Sequence, residues 1–173
     1  MKDVMLDLET LGTRHDALII QIGACYFDRK TGEIGLGFSA NVDAGAMTDE
    51  FTIDLSTIKW WFEQSDRARK LVTEAPMPLI DALIGLSQFL HTPDITLWSH
   101  ATFDMPILIN AFETAGIVFP VPFRNMRDLR TLMDISQYRS ETPREGVHHH
   151  ALDDAKYQAT YAAEAFRKLD GSL

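Results

Sequence analysis

The segment Asp3-Val4-Met5-Leu6-Asp7-Leu8-Glu9-Thr10 (DVMLDLET) sets apolar side chains among acids in one short run. Residues 3–8 read as a buried strand, and the period of two puts the carboxylates of Asp7 and Glu9 on the same face of its end. Working outward, Leu18 to Phe27 is a second strand rich in Ile and aromatic residues. The polar turn Asp28-Arg29-Lys30-Thr31-Gly32 leads to a third at about 34–42, which makes a hairpin. Helix and strand then alternate. Residues 56–64 read as a short helix, and Ser65-Asp66 can cap another turn. Residues 78–90 carry a helical stripe of Leu79, Ile80, Leu83, Leu86 and Leu90. A strand at 95–98 precedes a helix over 104–115, with Pro106 in its first turn and Gly116 as its stop. Residues 122–128 read as a fifth strand, followed by a short helix through Ile135, a polar loop and a last helix over 150–169. A hairpin followed by such alternation predicts an α/β fold, a mixed sheet with helices on its faces and ligand sites at the carboxyl ends of its strands.

The 173 residues, 46% of them hydrophobic, suit one domain spanning 1–173. No apolar run approaches the roughly 20 residues that a membrane span needs, so no membrane partner and a cytoplasmic location are expected. The lone Cys25 sits in the apolar run IIQIGACYF and reads as a buried, inert thiol. A net charge of −9, from 25 acids against 16 Lys and Arg, argues against a protein that coats nucleic acid. It leaves room for an enzyme that grips a few terminal nucleotides, since divalent cations and local arginines reverse the sign within a site.

Three further acids compete for a place beside Asp7 and Glu9. Asp104 stands at a strand-to-helix junction, where it either caps the helix or joins a site; Thr102 offers an alternative cap. In Val147-His148-His149-His150-Ala151-Leu152-Asp153-Asp154-Ala155, His148 and His149 precede Asp153 and Asp154 respectively at the same spacing. The stripe of Leu152, Ala155, Ala159, Ala162, Phe166 and Leu169 separates the aspartates: Asp154 lies about 110° from its centre and Asp153 about 150°. Asp154 therefore borders the buried face, and the alanines let the helix lie close to the sheet. Four converging carboxylates need cations between them, and oxygen ligands of this kind suit two Mg²⁺ ions, with Mn²⁺ as a substitute. A zinc site is disfavoured by the oxygen-rich set and the remote cysteine.

Asp7-Leu8-Glu9-Thr10, Phe103-Asp104 and His149-His150-Ala151-Leu152-Asp153-Asp154-Ala155 resemble the three motifs of the DEDDh 3′-to-5′ exonucleases, the superfamily of RNase T and the polymerase epsilon proofreading subunit. The resemblance covers nearly the whole chain. Ser56-Thr57-Ile58-Lys59-Trp60-Trp61 with Gln64-Ser65 and Ala68-Arg69, and Arg127-Asp128-Leu129-Arg130-Thr131, are similar to the phage branch typified by exonuclease A of T-even phages. It implies an RNase H-like fold with a five-stranded mixed central sheet and helices on both faces. It also implies Asp7, Glu9, Asp104 and Asp154 as holders of two Mg²⁺ ions and His149 as general base, with nucleoside 5′-monophosphates as products. Many relatives carry an asparagine upstream in the second motif, where this chain has Ser99-His100-Ala101-Thr102.

For substrate, Thr10, Leu11, Gly12 and Phe103 fall where relatives place the terminal nucleotide. Trp60 or Trp61 can stack on a base, with Trp61 taken as the contact and one of the two expected in the core. Arg124, Arg127, Arg130, Arg139 and Arg144 give the region before His149 a positive bias suited to phosphate contacts. The expected partner is a single-stranded DNA or RNA 3′ end, with DNA favoured by the phage-branch resemblance. An exoribonuclease or oligoribonuclease-type enzyme, a small-nucleotide hydrolase and a non-catalytic nucleic-acid-binding module are the alternatives, and a homo-oligomer is left open. The resemblance suggests a bacterial or phage-infected host cytoplasm.

Overall fold

The computed structural model describes residues 1–46 and 49–171. Strands β1 (Asp3–Thr10), β2 (Ile19–Phe27) and β3 (Ile34–Asn41) form an antiparallel meander. Helices α1 (Leu55–Phe62), α2 (Asp66–Leu71) and α3 (Leu79–Phe89) follow. Then come β4 (Thr96–Ser99), α4 (Asp104–Thr114), β5 (Met126–Asp128), α5 (Leu129–Ser136) and α6 (Ala151–Leu169). The sheet order is β3-β2-β1-β4-β5, with β4 parallel to β1 and β5 parallel to β4. This is the expected five-stranded mixed sheet.

The period of two on β1 divides the molecule. Val4, Leu6 and Leu8 face a core shared with Leu79, Leu83 and Leu86 of α3 and Ile107, Leu108 and Phe112 of α4. Met5 faces the opposite way, into a core with Cys25, Phe27, Leu129 and the alanines of α6. Asp7 continues the Met5 face, so the first motif opens toward α6. Burial pushes the Cys25 thiol up to about 12, in keeping with an inert side chain.

Helix ends follow the expected chemistry in two places: Ser65 caps α2 by accepting from Ala68 N at 3.2 Å, and Gly116 (φ +68°) ends α4. The fifth strand is shorter than expected. Only Met126–Asp128 pairs with β4, because Phe123–Asn125 winds into a 3₁₀ turn after Pro122, which has no N–H to give to a ladder. No helix among the described residues is long and apolar enough to cross a membrane.

Candidate active site

β1 delivers Asp7 and Glu9 side by side at its carboxyl end, 8% and 7% exposed. Asp104 arrives from the far side of β4. It is 1% exposed and does not cap α4, since Phe103 holds the cap position and no side chain bonds there. Its Oδ1 instead accepts the backbone N–H of Leu8 at 3.3 Å, which ties the second motif to the first. Asp128 caps α5 through Thr131 N (2.8 Å) and also accepts from Ala101 N (3.0 Å). That second bond anchors the loop leading to Asp104.

Asp154 is brought to β1 by an unusually close helix. Gly23 lies opposite Asp7 on β2. A Cβ built on it would stand 2.1 Å from Ala151 C and 2.2 Å from Leu152 N, so only glycine lets the start of α6 rest there. Gln21, opposite Glu9 and fully buried, accepts from Ala151 N at 2.6 Å and satisfies one of the helix's orphan donors. Its Nε2 donates to Asn41 Oδ1 at 2.6 Å, which fixes its orientation. Asp154, 8% exposed, then joins Asp7 and Glu9 with one oxygen from each lying within 4.8 Å of the others. Asp153 does not point into solvent as its angle on the helix implied. Its carboxylate accepts from Val147 N at 2.8 Å and lies 3.4 Å from His150 Nδ1, because the preceding loop folds back over the helix start.

The electrostatics follow from crowding. Burial first, then Asp104 and Glu9, raise Asp7 well above the usual carboxylate range, while the Gln158 amide and Arg144 pull against this. Burial and Asp104 push Glu9 to about 8. Burial raises Asp104 to about 7 despite hydrogen bonds from the backbone of Leu8 and His100. Asp104 Oδ2 is buried with no partner. His149 (φ +62°) stacks on His148 at 3.8 Å and meets the Trp60 ring edge-on at 4.5 Å. Its Nδ1 lies 3.9 Å from Glu9 Oε1. Burial, His148 and Arg144 lower it to about 4, so it is unprotonated at neutral pH.

These groups line one cleft of about 320 Å³. A second, more apolar slot of about 370 Å³ shares Leu8, Glu9 and Phe103 with it and is completed by Thr10, Gly12, Thr13, Ser56, Thr57 and Trp60. Thr10, Gly12 and Phe103 thus line one slot beside the carboxylates. Trp61 and Leu11 do not line this slot. Trp61 is 6% exposed and donates Nε1 to Thr10 O at 2.9 Å, so it supports the slot from behind while Trp60, 38% exposed, lines it. Leu11 packs with Trp61 against a separate apolar cavity rather than reaching into the slot. Of the five arginines, Arg130 and Arg144 reach the cleft; Arg127 is spent on the carbonyls of Arg124 and Met126. His100 lines the cleft with its Nδ1 unpartnered, held below its ordinary value by burial and Arg130.

Sequence reasoning missed Gln158, whose Nε2 donates to Asp7 Oδ1 at 2.6 Å, along with Tyr157 and Tyr161. All three stand at helical spacings of three, four and seven after Asp154, the signal that would have found them. His148, His149 and Asp154 form a second group with ligand atoms within 4.8 Å, which overlaps the first at Asp154.

Residues 2–166 match the 3′-5′ exoribonuclease Rv2179c-like domain. The chain belongs to that family. This Rv2179c-like chain is 24% identical to the exodeoxyribonuclease of enterobacteria phage T4 over 163 residues, 78% of this chain and 71% of that protein. Among solved structures, S. pombe Pop2p in its Mg²⁺- and Mn²⁺-bound form superposes with a TM-score of 0.67 at 17% identity, covering 99% of this chain and 85% of that one. E. coli exonuclease I in complex with a dT13 oligonucleotide gives 0.60 at 15% identity, with 96% of this chain matched to 40% of that one. The Rv2179c-like domain is a 3′–5′ exonuclease, a hydrolase of the DEDD type on an RNase H-like fold.

Proposed function

We propose that the protein, acting as one domain over residues 1–173, is a metal-dependent 3′–5′ exonuclease that trims single strands to nucleoside 5′-monophosphates, with RNA as its preferred polymer. The observation that carries this reading is the meeting of Asp7, Glu9, Asp104, Asp154 and His149 at one cleft that opens into an apolar slot. The donor set fits divalent cations: its carboxylates offer hard oxygens, Asp104 Oδ2 is buried without a partner, and burial with the neighbouring Asp104 keeps a proton on Glu9 up to about 8. Two Mg²⁺ ions, or Mn²⁺ in their place, would neutralise the acids, acidify a water and stabilise a departing oxygen.

The chain's own residues do the rest. Asp7, Glu9, Asp154 and Asp104 would hold the ions. His149, unprotonated and held by His148 and Trp60, accepts the proton of the attacking water. The water oxygen bonds to phosphorus as the bond from phosphorus to the 3′ oxygen of the penultimate nucleotide breaks, and that oxygen takes up a proton from solvent, leaving a 3′ hydroxyl on the shortened chain. Trp60 and Phe103 flank the slot where the terminal base would stack, and Gly12 lines it.

The family description supports RNA; a second reading, preference for DNA, is supported by the phage T4 exodeoxyribonuclease. Matched 5′-labelled single-stranded RNA and DNA should each give an EDTA-sensitive ladder shortening from the 3′ end, with RNA degraded faster. A faster DNA ladder would favour the second reading, and binding without cleavage would favour a non-catalytic module.

A further inference from the structure

Of the two arginines at the cleft, one is bonded to a carboxylate of the cluster. Arg144 belongs to the loop between α5 and α6, and its Nη2 pairs with Asp154 Oδ1. The guanidinium lies over the Tyr157 ring, 5.1 Å from its centroid, with the side chain 28% exposed. The loop is fixed on either side of it. Ser140 Oγ donates to Glu164 Oε2 at 2.7 Å before it, and Val147 N donates to Asp153 Oδ2 at 2.8 Å after it. Gly146 (φ +82°) makes the turn between Arg144 and that second anchor. Arg144 thus hangs from a short span held at both ends, and its charge is felt by Asp7, Glu9, His148 and His149.

Asp154 is a member of the three-carboxylate group able to hold a cation, and Arg144 engages one of its two oxygens. A guanidinium and a metal ion drawn to the same carboxylate repel each other, so their occupancies are linked. We infer that Arg144 is a resident counter-cation, which holds Asp154 in the metal-free protein, competes with divalent metal for that carboxylate and, once displaced, contacts substrate phosphate at the mouth of the cleft. The inference rests on the metal-dependent reading above and adds a regulatory residue to it. A bidentate donor on a two-ended loop suits both tasks, because arginine pairs equally well with carboxylate and phosphate. Arg130, the other arginine of the cleft, cannot substitute: its charge acts on Asp104, His100 and Tyr161, and no bond joins it to Asp154.

The test is calorimetric titration of Mn²⁺ into the metal-free wild type, Arg144→Ala, Arg144→Lys and Arg130→Ala, with folding checked by circular dichroism. Steady-state kinetics on single-stranded RNA at saturating Mg²⁺ accompany it. Arg144→Ala should bind Mn²⁺ about fivefold more tightly, the size expected on removing a partly exposed ion pair that occupies the competent state. The same variant should show a raised KM for RNA, with Arg144→Lys between it and wild type. Tighter metal and weaker substrate in one variant is a pairing that a merely structural role would not produce. Unchanged or weaker Mn²⁺ binding in Arg144→Ala, or an equal gain in Arg130→Ala, overturns the inference and leaves the metal centre standing. Failure of wild-type protein to bind Mn²⁺ overturns both.

Discussion

Adding one methyl group at Gly23 should inactivate the enzyme from the face of β2, without touching any carboxylate. The Cβ of Gly23→Ala would sit 2.1 Å from Ala151 C, 2.2 Å from Leu152 N and 2.5 Å from Ala151 O, all backbone atoms of the first turn of α6. Carbon atoms pack best at about 3.5 Å, so the helix start would have to retreat by about 1.4 Å to restore an ordinary contact. That retreat stretches the 2.6 Å bond from Ala151 N to Gln21 and carries Asp154 away from Asp7 and Glu9. Overpacking of this kind costs about 1–3 kcal/mol, which lowers the melting temperature by roughly 2–12 °C for a domain of this size. The effect on rate should be larger, because a misplacement of about 1 Å in a catalytic constellation costs on the order of 100-fold. Single-turnover cleavage of labelled RNA, beside a thermal melt, reads both. A folded Gly23→Ala protein with turnover within a few-fold of wild type would refute the claim that this close approach positions Asp154.

Asp154→Asn should abolish cleavage, whereas Asp153→Asn, which weakens the anchor to Val147 N and the contact with His150, should retain most of it and lose at most about 1–2 kcal/mol of stability; equal losses in rate would contradict the division of labour between them. The metal-free protein should grow less stable as pH rises from about 4 to 8. Across that window folded Glu9 (about 8) and Asp104 (about 7) keep protons that the unfolded chain has lost, so each favours unfolding by up to a tenfold change in equilibrium constant per pH unit. Saturating Mn²⁺ should therefore raise the melting temperature more at pH 8 than at pH 6, and pH-independent melting would argue against the crowded cluster. Trp60→Ala should raise KM by about tenfold through lost base stacking, while Trp61→Phe, which loses the bond to Thr10 O, should mainly lower the melting temperature; the reverse pattern would restore Trp61 as the contact.

Much of the fold was legible because it rests on periodicity. Alternation in β1 separated Leu8 from Asp7 and Glu9, and the stripe on α6 put Asp154 nearer the sheet than Asp153. The supports of the site were not legible. Gln21 and Gly23 read as ordinary members of an apolar strand, and only the docking of a helix over them gives one a cap to fill and the other a backbone to admit. Trp60 and Trp61 are adjacent on an eight-residue helix, too short for a stripe to say which faces the slot. Arg144 sits in a loop with no period at all, so its partner emerges only when the loop is folded over α6. The fifth strand is shorter than 122–128 because Pro122 and the 3₁₀ turn after it prevent pairing before Met126, which no periodicity in so short a run reveals.

The most direct measurement of the central claim is an anomalous difference map from crystals soaked in Mn²⁺. Two peaks are expected within the cleft, coordinated by oxygens of Asp7, Glu9, Asp104 and Asp154, with the Arg144 guanidinium moved off Asp154. A single peak held by His148, His149 and Asp154, or no peak among the four acids, would contradict it.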